Sequence, residues 1–517
     1  MDTTHPRPAA GARIVAVLTV AAAAAFCLHV FSDNKADVDL WGNVRFVKVP
    51  PWRDGFDRVN TYSFTEPDRP WINHEWLAQY VFHHVFTRFG NPGLLAFKLA
   101  MGAAVALLLY AEMKRSCRSG PLRFLWLLLV VSTIGYGFST RPHHYSYLML
   151  ALMLTAIRRG WAGRPAGLVL APLAGALWAN LHGSFILGAA VLGLLSGVEF
   201  LRWLFPGGAG RDGKRLGLTW LATALYVAAT LANPHGPKVW FLLYDYATVP
   251  RPYLSEWAPF SLRANGLDHP DFLVLSVLSL AGVLLSRRRK DLFGLGVLAA
   301  FFAGGWMLRR NIPLFAIVSC FVVPEHLDAL AGGFLERLRA RIPAAALAAA
   351  LLAFAGLSLR NAYAFHKTDP FQIEVSQDLY PVQMVEFMKL NGIRGNALIF
   401  FDWAEYCLWH LYPGVRPFVD GRFNDCYSFT TLNEFFSFLY GWDDPDAALR
   451  DHPVDIVLIH NGNPACERML ARADWQLAGR NNLASLFLKK DIHRDFLERL
   501  EKKDVEYPPD VSEVFFP

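Results

Sequence analysis

Asp37 and Asp39 stand two residues apart, just beyond the first long apolar run. Carboxylates at i and i+2 in such a place can take a proton from an acceptor nucleophile, or bind a divalent cation such as Mg or Mn. The same segment carries Asn73-His74-Glu75-Trp76, which adds an imidazole, an indole and a third carboxylate. Asp37, Asp39 and Glu75 are therefore the candidate catalytic residues, and Asp37 and Asp39 the candidate metal ligands. Arginine supplies the complementary chemistry. A guanidinium presents a rigid fork of donors that suits phosphate oxygens, which makes Arg141, Arg309 and Arg310, with His144 beside the first, candidates for holding a phosphate. His74, Trp76, Asn180, His182 and Glu256 complete the polar set as candidate substrate contacts. Each type has a plainer reading as well: an acidic loop start, an arginine snorkelling to headgroups, or a histidine satisfied by one hydrogen bond.

Other motifs fail on context. Gly208, Gly210 and Gly213 match GxGxxG but follow no strand pattern, and His74-Glu75 opens like HExxH, yet position 78 is Ala78. No GxxxxGK[ST] sequence is present, and six cysteines without CxxC spacing indicate neither a disulfide scaffold nor a structural zinc. The 50 Lys+Arg against 44 Asp+Glu leave a net charge of only +6, too weak to indicate nucleic acid.

The elements that must position these residues are membrane helices. In a chain of 517 residues, 54% hydrophobic against 18% charged is too apolar for an ordinary soluble enzyme. At ~20 apolar residues per crossing, about eleven runs qualify, from 14–31 to 343–360. Basic residues fall in alternate loops: Arg7 and Arg13; Lys114, Arg115, Arg118 and Arg123; Arg158, Arg159 and Arg164; Arg211, Lys214 and Arg215; Arg287 to Lys290; Arg337, Arg339 and Arg341. Lys and Arg resist translocation, so these loops are expected inside and the C-terminus outside. The first run continues to Phe31, past a 7–15 residue signal-peptide core, and is expected to be a retained helix. Arg141, Arg309 and Arg310 then lie on the translocated side, where a basic residue needs a reason.

The expected fold is a polytopic α-helical membrane protein, 1–360, with a long first outer loop at 32–91 and an extracytoplasmic α/β domain at 361–517. In that domain the runs Ala397–Phe401, Arg416–Val419, Val454–His460 and Leu483–Leu488 read as strands. Val382–Leu390, Leu432–Leu439 and Cys466–Arg472 read as helices. Cys407, Cys426 and Cys466 could form one bridge in an oxidising compartment.

This layout resembles the GT-C superfamily of membrane glycosyltransferases, through Asp37-Val-Asp39-Leu-Trp41, Asn73-His74-Glu75-Trp76, Arg141-Pro142, Trp178 to Gly183, Asn233-Pro234 and Glu256-Trp257. Phe401-Asp402-Trp403-Ala404-Glu405-Tyr406, followed by Val419-Asp420-Gly421, is similar to the acceptor-contacting Trp-Trp-Asp-Tyr-Gly segment of oligosaccharyltransferases, with Glu405 where a small residue is expected. The resemblance implies an inverting transferase in a bacterial cytoplasmic membrane. It would move a sugar from a polyprenyl-phosphate or polyprenyl-diphosphate donor to an extracytoplasmic protein, glycan or lipid. It also adds Trp403 and Tyr406 to the acceptor contacts, and a metal is not required by every member. A transporter or a non-catalytic membrane scaffold would share the helices. The first is disfavoured by the lack of repeats and of midplane charges, the second by its having no role for the outer charges.

Overall fold

The computed structural model describes residues 10–161, 166–205, 211–249, 251, 253–265, 268–364 and 369–517. Arg7, Arg164, Gly208 and Gly210 lie outside the described residues. The chain divides into two compact units, one of Met1–Asp33, Leu95–Gly236 and Ala247–Pro370, the other of Asn34–Leu94, Pro237–Tyr246 and Phe371–Pro517.

Among its described residues, every regular element of the first unit is a helix. Among the described residues, five helices are long and apolar enough to cross a membrane: Gly11–Phe31, Trp76–Ser116, Phe185–Leu204, Arg309–Arg341 and Ala344–Ala364. Gly120–Gly135, Leu170–Leu181, Pro270–Leu285 and Leu292–Met307 are apolar but shorter. The chain thus reads as a multi-pass membrane protein. Helix Ile312–Leu327 buries every residue except Glu325, which puts an all-round apolar helix at the centre of its unit. Pro313 sits in its first turn, where a missing N–H costs nothing. Phe315 on this helix meets Phe302 and Phe272 at 5.5 and 6.0 Å. The alanine-rich helices Ala10–Phe31 and Ala344–Ala364 pack through Val15, Ala22 and Leu351, with Phe26 stacked on Phe354; small side chains allow such close approach.

Helix Trp76–Ser116 is broken at Gly90, whose φ of 62° and ψ of −156° suit only a residue without a Cβ. The break falls where the amphipathic run ending near Phe89 meets the apolar run from 93.

The second unit is built on a five-stranded sheet of β1 (Gly395–Ile399), β2 (Val415–Pro417), β3 (Ile456–His460), β4 (Trp475–Arg480) and β5 (Ala484–Lys489), in the order β2-β1-β3-β5-β4. The β2-β1-β3 pairs are parallel, and β5 and β4 are antiparallel. Central β3 is the continuous apolar run Ile-Val-Leu-Ile, as burial on both faces requires. Residues of the first outer loop join this unit through backbone pairing: Ala36 N–H donates to Glu374 O at 2.8 Å, and Glu374 N–H to Asn34 O at 2.9 Å. Trp41, fully buried, packs edge-on against Tyr380 and Tyr406 at 4.8 and 5.0 Å.

All six cysteines are free, so the bridge anticipated among Cys407, Cys426 and Cys466 does not form. Cys466 instead faces β5, its Sγ 3.6 Å from Ser485 Oγ, and the other two are buried.

Candidate active site

The Asp-x-Asp turn lies in the second unit and is fixed from both ends. Tyr380 O–H donates to Ala36 O at 3.0 Å, and Asp39 N–H donates to Asp37 Oδ1 at 3.1 Å. Asp39 then heads the short helix Leu40–Arg45 without a side-chain capping bond. A buried relay ties this helix to the next motif: Gln79 Nε2 donates to Asn43 Oδ1 at 3.4 Å, and Asn73 Nδ2 donates to Gln79 Oε1 at 2.8 Å.

Glu405 comes to this turn from helix Ala404–Leu411. Its Oε2 accepts the Gly42 N–H at 2.9 Å, one turn along from Asp39. A methyl group at Gly42 would overlap that carboxylate. A methyl group at Gly421 would overlap Glu405 Oε1 and stand 3.1 Å from Asp39 Oδ1, so both carboxylates border the same small volume. Burial, then the neighbouring Asp39 and Asp420, push the Glu405 carboxyl well above the usual carboxylate range, although the Gly42 N–H and Arg422 oppose them.

His74 is buried, with Nδ1 3.1 Å from Asp425 Oδ2 and Nε2 3.7 Å from Glu75 Oε1. Tyr246 O–H donates to the other Asp425 oxygen. Burial alone would lower the imidazole's pKa; the two carboxylates outweigh it and hold it up at about 9. The two carboxylates thus favour the imidazolium form of His74. Asp420 and Arg422 form a second buried pair at 2.7 Å, in which Arg422 also donates to Asn60 Oδ1 at 2.8 Å. Four rings surround that guanidinium: Phe46, Tyr62, Trp71 and Tyr427.

The remaining candidates of this unit face its core. Trp403 donates its Nε1–H to Leu379 O at 2.7 Å, Tyr406 packs on Trp41, and Trp76 meets Trp52 and Phe56 edge-on.

In the first unit, Arg141 and Arg310 converge on Glu256, at 3.5 and 3.4 Å. The Arg310 guanidinium lies 4.3 Å over the Trp257 ring, and so does that of Arg251, a buried residue that sequence reasoning missed. Arg309 donates from Nε to Ser255 O at 3.1 Å, and its backbone N–H donates to Ala258 O at 3.2 Å, which ties 255–258 to 309–311. Arg141, Arg251, Arg309 and Arg310 thus gather around one turn. His144 is buried and stacks on Phe138 at 4.2 Å. Asn180 donates to the carbonyls of Ala176 and Ala232, and His182 Nδ1 bonds Ser146 and Ser184, contacts that close helix ends.

Asp37 and Asp39 offer the oxygen donors that Mg or Mn takes. Among the described residues, however, no three His, Cys, Asp or Glu groups are arranged to hold a metal ion.

No protein-family model matches the chain, and no curated protein matches its sequence. Solved structures do. The oligosaccharyltransferase of Archaeoglobus fulgidus, crystallised with Zn and sulfate, matches at a TM-score of 0.50 and 15% identity over 86% of this chain and 68% of that one. ArnT from Cupriavidus metallidurans, bound to undecaprenyl phosphate, matches at 0.46 and 13% over 93% and 98%. At 15% identity the first likeness is one of fold, and it agrees with the layout expected from the motifs.

Proposed function

We propose that this chain, which has the fold of the GT-C superfamily, is an integral-membrane glycosyltransferase. It would move a sugar from a polyprenyl phosphate or diphosphate to an extracytoplasmic acceptor. The observation that carries the reading is the turn at Ser255–Ala258, where four guanidiniums gather. Forked, permanently charged donors in a partly buried setting suit the phosphate of a leaving group, because a low local dielectric strengthens charge pairing.

In this reading the acceptor's N–H or O–H gives its proton to Asp39 as the nucleophile attacks the anomeric carbon. The bond from that carbon to the phosphate oxygen breaks, and its electron pair goes to the phosphate. One displacement inverts the anomeric centre. In this reading the second unit lies outside a bacterial cytoplasmic membrane.

Mass spectrometry of lipid copurified with the full chain tests the donor. A polyprenyl phosphate or diphosphate is expected, and Arg310→Ala should reduce its retention about tenfold, the scale of one lost charge-assisted bond. Asp39→Asn should retain the lipid yet lose at least about 100-fold in turnover. Absence of any polyprenyl lipid from both preparations, together with no transfer from added donor, would refute the assignment.

A further inference from the structure

Three features meet at Glu405. The side chain is 5% exposed, and it reaches the first outer loop from a helix more than three hundred residues away in sequence. It accepts a hydrogen bond from Gly42, in the first turn of the helix that Asp39 heads. Two glycines, Gly42 and Gly421, leave the space its carboxyl fills, and a Cβ at either would collide with it. Such space is kept for a group whose position matters, because an unfilled gap or an extra methyl in a packed interior is itself destabilising.

Resting on the reading that Asp39 takes the acceptor's proton, we propose that Glu405 is the positioning residue for Asp39. Its Oε2 anchors the backbone of the Asp39 helix, while its Oε1 borders the same space above Gly421 that Asp39 Oδ1 borders and so closes that side to the Asp39 carboxylate. Asp39 is thereby held to one direction on a helix of only six residues, too short to be rigid by itself. Because Glu405 acts on the geometry of the base and not on the donor, its loss should fall on kcat; misplacing a catalytic group by about 1 Å can cost on the order of 100-fold.

The test is steady-state turnover of the purified full chain with a polyprenyl-linked sugar, with copurified lipid and bound metal measured in parallel. Glu405→Ala should lower kcat about 10- to 100-fold with KM for the donor within about twofold. Glu405→Gln keeps a carbonyl acceptor for Gly42 N–H at nearly the same volume and should restore kcat to within about threefold of the parent. Gly421→Ala should mimic Glu405→Ala, and it decides the matter should Glu405→Ala fail to fold. Equal kcat in the parent, Glu405→Ala and Gly421→Ala would overturn the proposal. So would Glu405→Gln as inactive as Glu405→Ala, a rise in KM alone, or loss of a bound metal from Glu405→Ala. Full activity of Asp39→Asn would instead overturn the assignment of the base on which this inference rests.

Discussion

Replacing Asp425 by Asn should remove a pH dependence of stability that is centred on His74. In the folded chain the imidazole is buried, yet Asp425 at 3.1 Å and Glu75 at 3.7 Å hold its pKa at about 9 against 6.5 when unperturbed. One pKa unit corresponds to 1.36 kcal/mol, so the imidazolium contributes ~3 kcal/mol. The folded value lies above the unfolded one. The contribution is therefore complete below pH 6.5 and is lost as the pH rises through about 9, with a slope near ~1.4 kcal/mol per unit. In Asp425→Asn the main counter-charge is gone, burial dominates, and the ring is neutral across this window. Thermal unfolding in detergent at a series of pH values between about 6 and 9.5 measures the effect. The parent should lose stability steadily across the range, while the variant starts lower and stays nearly flat. An identical slope in both proteins would refute the assignment of the charge to His74.

Further outcomes follow from the same geometry. Arg422→Met should destabilise by ~3–5 kcal/mol in the same unfolding assay, because it leaves Asp420 buried without its counter-ion, and pairing it with Asp420→Leu should recover much of the loss. Gly42→Ala should destabilise by ~1–3 kcal/mol through overlap with Glu405, whereas Gly193→Ala, with no atom near its would-be Cβ, should be neutral or slightly stabilising. Arg251→Gln should weaken retention of copurified polyprenyl lipid about tenfold without changing the unfolding temperature at saturating detergent. For topology, Cys117, Cys407, Cys426 and Cys466 are buried, so an impermeant thiol reagent needs introduced cysteines. Tyr507→Cys, at an exposed position, should label in intact cells and Arg288→Cys should not; the reverse pattern would invert the predicted orientation.

What could be read in advance followed the range of the forces involved. Apolar periodicity is local, so the long apolar helices, the end of the amphipathic run near Phe89 and four of the five strands were visible as patterns, whereas the short helices Leu40–Arg45 and Ala404–Leu411 were not. β4 was not: Gln476 and Arg480 interrupt it, and it is an edge strand with an irregularity between Leu477 and Gly479, so it lacks the buried run that marks β3. Asp37 and Asp39 stood out because two like charges beside an apolar run are unusual in any sequence. Glu405 beside Asp39, Asp425 beside His74 and Arg251 beside Trp257 left no such mark. Each meeting depends on tertiary pairing, and a single carboxylate or guanidinium carries nothing in its immediate neighbours that announces its partner. The one prior hint was that Glu405 departs from a small residue in the segment it resembles, a departure legible as chemistry only once Gly42 and Gly421 were seen to make room.

The aromatic nest around Arg422 also sets a timetable for synthesis. Phe46, Tyr62 and Trp71 leave the ribosome early, while the guanidinium they enclose is 362 residues later than its other partner, Asn60. At ~5–20 residues per second that interval is ~20–70 s, during which Phe46 and Trp71 lack the guanidinium they later enclose. The loop that carries Asp39 therefore matures only when the last third of the chain arrives. A truncated or stalled product would display an adhesive, unfinished loop, and quality-control proteases that read exposed aromatic surface would recognise the incomplete chain by the part that was made first.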